Sequence, residues 1–126
     1  MLSGMLCGSP AGHAAQSDTP GRYLYLKYCS ACHGSGGKGD GAASGFLRPK
    51  PTDLTRLAKN AGGDFPYVAT MQVIEGTKTV RAHGDADMPV WGEVLHQDSA
   101  APMDRRIDVQ GKLMLITDYI RSIQEN

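Results

Sequence analysis

Apolar positions near the end of the chain recur with a helical period. Val109, Leu113, Ile116, Ile120 and Ile123 fall at i, i+4, i+7, i+11 and i+14, with Tyr119 beside them, the spacing of one buried face on a long helix. Shorter stretches of the same kind lie upstream. Arg22 to Cys29 reads as about two helical turns beginning at Gly21, with Tyr25 and Tyr28 three apart on one stripe. Leu54, Leu57 and Ala58 share a face of a short helix that Asp53 is placed to cap and Gly62-Gly63 to end. Asp64 is placed to cap a third helix, with Pro66 tolerated in its first turn, Tyr67, Met71 and Ile74 on one face, and Gly76 as its stop. Residues 34–45 are mostly Gly, Ala and Ser and read as loop; residues 77–106 read as a long irregular connection. No segment alternates like a strand and no repeat is present, so the pattern predicts an all-α domain.

Composition narrows this further. A chain of 126 residues suits one domain and excludes a large multi-domain enzyme. Gly (16) and Pro (7) make up about 18% of the chain against an ordinary ~12%. A loop-rich domain of this size needs something besides apolar side chains to fill its centre. Thirteen basic residues balance thirteen acidic ones, which argues against nucleic acid as a partner. No apolar run approaches the ~20 residues of a membrane span. Residues 1–20 are unlike the rest: Met1 to Cys7 is short and mildly apolar, and Gly, Pro, Ala and Ser then dominate, with no Lys or Arg before Arg22. They read either as the remnant of a secretory leader processed near Ala14-Ala15 or as a disordered tail, leaving a domain over 21–126. Leu6 before Cys7 disfavours Cys7 as a lipid acceptor.

The chemistry sits in Cys29-Ser30-Ala31-Cys32-His33, a C-x-x-C-H sequence of the kind that attaches haem. Two thiols three positions apart on a helical turn can each bond one vinyl group on a haem edge, and the adjacent imidazole then turns under the ring toward the iron. A zinc site would need four ligands, and the remaining candidates (Cys7, His13, His83 and His96) form no second pair. A redox dithiol would want a preceding strand and a parallel sheet, and neither is visible. Gly34-Ser35-Gly36-Gly37-Lys38-Gly39 satisfies G-x-G-x-x-G but lacks the strand and helix that a dinucleotide site requires; it reads as a tight loop around the haem edge. With His33 on one side of the iron, the candidates for the other are Met71, Met88, Met103, Met114, His83 and His96. Met88 leads because Gly84-Asp85-Ala86-Asp87-Met88-Pro89 is irregular backbone able to wrap the far face. Met71 and Met114 lie on helical stripes, where methionine ordinarily packs, and His83 is the main rival.

These residues make the chain similar to the small bacterial monohaem cytochromes c of class I, from about Pro20 to the C-terminus. Cys29, Cys32 and His33 match the family's attachment motif, and Met88-Pro89 matches its distal-ligand motif. Gly21 and Tyr25 match the Gly and aromatic of its first helix, and Ile116 and Tyr119 the pair on its last. Lys50-Pro51-Thr52-Asp53-Leu54 and Met88-Pro89-Val90-Trp91-Gly92 look like a common proteobacterial subgroup. The resemblance implies about four short helices around one covalently attached haem c, with the terminal helices crossing, Cys29 and Cys32 bonded to the haem, and His33 and Met88 on the iron. It also implies that a proline carbonyl after the motif accepts the N–H of His33, and leaves Pro49 and Pro51 both open.

An iron with both axial positions filled suits one-electron transfer rather than oxygen or substrate chemistry. The expected protein is therefore a periplasmic, monomeric electron carrier, not an enzyme, meeting donor and acceptor proteins through small transient interfaces, some of them membrane-bound. The alternative is a haem-bearing subunit of an oxidoreductase complex. A gas sensor, from a different class, would require Met88 to leave the iron readily. Tyr67, Trp91, Phe46 and Phe65 are expected in the haem wall, and Lys27, Lys38, Lys50 and Lys78 around an exposed edge.

Overall fold

The computed structural model describes residues 18–77, 91–98 and 102–125. Six α-helical segments follow one another: α1 (Pro20–Tyr28), α2 (Ser30–His33), α3 (Leu57–Asn60), α4 (Tyr67–Glu75), α5 (Trp91–Val94) and α6 (Pro102–Ser122). Single 3₁₀ turns occur at Ser44–Phe46, Leu54–Arg56 and Leu95–Asp98. The described residues contain no strand, so the expected all-α class holds, with six helical segments among them where about four short helices were expected.

Helix α1 starts one residue earlier than the apolar pattern indicated. The Thr19 hydroxyl accepts the Arg22 N–H, Pro20 occupies the first turn, where its missing N–H costs nothing, and Asp18 pairs with Arg22 at 2.8 Å. The chain is therefore already structured over 18–20, which the sequence had assigned to the leader or tail.

Helix α1 packs against α6, the expected crossing of the terminal helices. Its pivot is Gly21, where a Cβ would run into the Leu115 carbonyl and meet Tyr119 Cβ at 3.2 Å. Only a bare backbone lets the two helices approach this closely. One turn on, the rings of Tyr25 and Tyr119 meet at 5.0 Å, tilted by 45°, an arrangement aromatic pairs favour. Val109, Leu113, Ile116, Tyr119 and Ile120 of α6 join Tyr25, Cys29, Leu54, Leu57, Ile74 and Leu95 in one core. Thr117, fully buried on the same helix, satisfies its hydroxyl on the Leu113 carbonyl at 2.7 Å.

Elsewhere the structure departs from the sequence pattern. Asp64 does not cap α4; Pro66 takes that position without a side-chain bond, and its carbonyl accepts the Thr70 hydroxyl at 2.8 Å. Gly76 does end α4, in the left-handed region. The connection read as irregular over 77–106 contains α5, the turn at Leu95–Asp98 and the first turns of α6. These pieces form because Leu95 is buried and Gly92 lies against the Glu75 carbonyl at the end of α4; tertiary packing, not periodicity, specifies them. Among the described residues no helix is long and apolar enough to cross a membrane.

Candidate functional site

Cys29 ends α1 and begins α2, so the five residues Cys29 to His33 wind through one helical turn, closed by the His33 N–H donating to the Cys29 carbonyl at 2.9 Å. Both cysteines are free thiols. Cys29 is buried in the core, Cys32 is half-buried and His33 is buried at 9% exposure. Tyr25 fixes the end of the turn from below, its hydroxyl donating to the Gly34 carbonyl at 2.6 Å. Burial, with Cys29, Tyr119 and Asp40 nearby, raises the Tyr25 phenol above its ordinary range, so it remains a donor.

Burial first, and then the neighbouring Cys32, pushes the Cys29 thiol up to about 12. Among the described residues no three of His, Cys, Asp and Glu converge as a metal cluster.

The loop after the motif folds back across it. Gly39 N–H donates to the His33 carbonyl at 2.8 Å, Gly41 N–H to Cys32 at 3.1 Å and Ala43 N–H to Ala31 at 2.9 Å. The glycines of the G-x-G-x-x-G string are thus spent on a tight loop against the motif. Gly39, at φ 76°, leaves no room for a Cβ against the Pro51 carbonyl. This close approach carries the segment at 51–55 past the imidazole.

The His33 Nδ1 lies 2.9 Å from the carbonyl oxygen of Thr52. A carbonyl can only accept, so Nδ1 carries the proton, and in the neutral form of the ring the lone pair lies on Nε2. The expected acceptor was the carbonyl of Pro49 or Pro51. The structure corrects this by one residue, because the Pro51 carbonyl faces Gly39 instead. Sequence alone had no means of finding Thr52, since every residue carries a carbonyl and only the course of the chain selects one.

The donor set fits a covalently held haem: two thiols on one helical turn beside an imidazole whose Nδ1 is tied to a carbonyl. Met88-Pro89, His83 and Lys78 lie outside the described residues. Of the rival axial candidates that are described, Met71 packs against the core, Met103 and Met114 are exposed, and His96 is exposed in the turn after α5. Of the expected wall residues, Phe65 and Trp91 pack on the core, with Trp91 5.5 Å from the Tyr28 ring, and Tyr67 donates to the Met114 carbonyl at 3.4 Å. Phe46 is 90% exposed to solvent. Lys38 is engaged with Glu125, Lys27 sits 5.0 Å over the Tyr28 ring, and Lys50 is exposed.

A family model described as cytochrome c oxidase, cbb3-type, subunit III matches residues 16–101. No curated protein matches the chain. No solved structure does either.

Proposed function

The chain belongs to this class I cytochrome c family and is a haem electron-transfer protein; from that premise we propose that it carries one electron on a single haem c bonded to Cys29 and Cys32, with His33 and Met88 on the iron. The observation that carries this reading is the His33 hydrogen bond to Thr52, which orients an imidazole beside two thiols through its Nδ1. When bound, the haem supplies the one-electron couple of its iron. The chain's own residues hold it and set its surroundings. Thr52 fixes the ring of His33 and raises its basicity. The thioether of Met88 favours the ferrous state more than a second imidazole would. With His33 and Met88 both holding the haem, the chain would leave no open position for substrate and would favour electron exchange.

The test is a visible spectrum of matured protein in both oxidation states, repeated after denaturing extraction. Colour that stays with the polypeptide, with a low-spin spectrum, is expected; a colourless protein, or haem that extracts freely, would overturn the reading.

We place the protein in the periplasm, since domains of this family are typically extracytoplasmic, and read it as a monomeric carrier making small, transient contacts with donor and acceptor proteins. The second reading, a haem-bearing subunit of an oxidoreductase complex, is favoured by the family description, which names an oxidase subunit. Co-purification with an oxidase core separates that reading from a carrier that elutes alone.

A further inference from the structure

The segment that supplies the Thr52 carbonyl is clamped from the far end of the chain. Just past α6, Gln124 uses both ends of its amide: Nε2 donates to the Leu54 carbonyl at 2.7 Å and to the Ile120 carbonyl at 2.9 Å, while Oε1 accepts the Ala58 N–H at 2.8 Å. The next residue continues the attachment. Glu125 N–H donates to the Thr55 carbonyl at 2.8 Å, and the Glu125 carboxylate pairs with Lys38 from the loop behind the motif. The opposite side of the segment is held by Leu54 N–H on the Gly37 carbonyl at 2.7 Å and by the tight contact of Gly39 with Pro51. Thr52 lies between these two anchors. Its own carbonyl takes His33, so its position is determined by what holds Leu54.

We propose that Gln124 is a positioning residue for the haem iron: by tying Leu54 and Ala58 to the end of α6 it fixes the Thr52 carbonyl, and through it the strength of the His33 Nδ1–H hydrogen bond. This rests on the reading of His33 as an iron ligand. The chemistry gives the sign. A firm Nδ1–H to carbonyl bond increases electron density on Nε2 and favours ferric iron. A looser one favours ferrous iron and raises the potential. Loss of the Gln124 amide takes its hydrogen bonds from the Leu54 and Ile120 carbonyls and from the Ala58 N–H, so local opening of the segment becomes at least about tenfold more frequent.

The experiment uses the holoprotein and three variants. Gln124→Ala removes all three hydrogen bonds. Gln124→Glu is nearly isosteric, keeps an acceptor for Ala58 and loses the donor to Leu54; it carries the test if the alanine variant does not accumulate. Val109→Ala, a buried position about 22 Å away along α6, is the control for general destabilisation. The readouts are the midpoint potential and, by NMR on the reduced protein, solvent exchange of the His33 Nδ1–H. Both Gln124 variants are expected to raise the potential and to speed that exchange about tenfold or more, while Val109→Ala leaves the potential at the wild-type value. A potential and an exchange rate indistinguishable from the Val109→Ala control, in protein with a normal low-spin spectrum, would overturn the inference and leave the haem reading intact. Absence of that spectrum from the wild type itself would instead remove the haem reading.

Discussion

His33, Cys29 and Cys32 were readable as a motif because their chemistry depends on spacing along one helical turn, which sequence preserves. Met88 rests on the reading of its loop, and its role is open to a direct test. Met88→Ala should vacate one face of the iron, so that reduced protein binds carbon monoxide where the wild type does not, and should lower the midpoint potential as a weaker field replaces the thioether. A variant with an unchanged ferric iron–thioether absorption band would assign the ligand to another methionine. Asp53 is a residue whose structural part sequence did anticipate. Its carboxylate accepts the Thr55 N–H at 2.9 Å and the Thr55 hydroxyl at 2.6 Å. Partial burial pushes its pKa upward, but those two bonds, with Lys38 and Arg56 nearby, outweigh burial and hold it below its ordinary 3.8. A carboxyl with a depressed folded-state pKa stabilises fully above the ordinary value and loses that contribution as pH falls through the folded one. Asp53→Ala should therefore cost about 1 kcal/mol at neutral pH, and the difference from wild type in denaturant unfolding should shrink as the pH is taken well below 3.8.

At the scale of the elements, legibility followed length. Helix α6 was evident because five of the buried hydrophobics among the described residues repeat along it, and a period needs several turns to be seen. Helix α5 was missed because four residues cannot display one; it is held by Leu95 and by Gly92 against α4. Asp64 looked like a cap by type and position, yet α4 begins two residues beyond its reach, at Tyr67. The crossing of α1 and α6 came from the family resemblance, and the structure adds its cause: the backbone of Gly21 lies against the backbone of Leu115. Since the obstructing atom is a main-chain carbonyl rather than a flexible side chain, a methyl at position 21 must push the helices apart. Gly21→Ala should destabilise the fold by ~1–3 kcal/mol, measured by denaturant unfolding, with the low-spin spectrum retained because His33 is held by Thr52 and not by the crossing. Equal stability of variant and wild type would mean that α1 re-seats without cost.

At the scale of the whole molecule, the Cys29–His33 turn joins two bodies of contacts, among the described residues, that are far apart in sequence. The N-terminal side packs α1 on α6, and the C-terminal side returns through Gln124 and Glu125 to the segment under His33. The described core is small and dominated by α6, while Phe46, Val68, Met103, Ile107 and Met114 remain exposed. Ordering each residue costs about 1–2 kcal/mol of chain entropy, and a bound apolar plate would contribute both buried area and cross-links against it. Haem should therefore behave as part of the core. The Cys29→Ala/Cys32→Ala variant, freed of haem, is expected to lose most of its helical circular dichroism at 25 °C and its cooperative thermal transition, since the short helices and loops around the motif then lose the apolar plate they would pack on. Residual helix should come from α6, the one segment among the described residues longer than the ~12–15 residues at which an isolated helix becomes marginal in water. Retention of full helicity with a sharp transition in the haem-free chain would mean that α1 and α6 fold as an independent unit, and that the cofactor is carried by the fold rather than required for it.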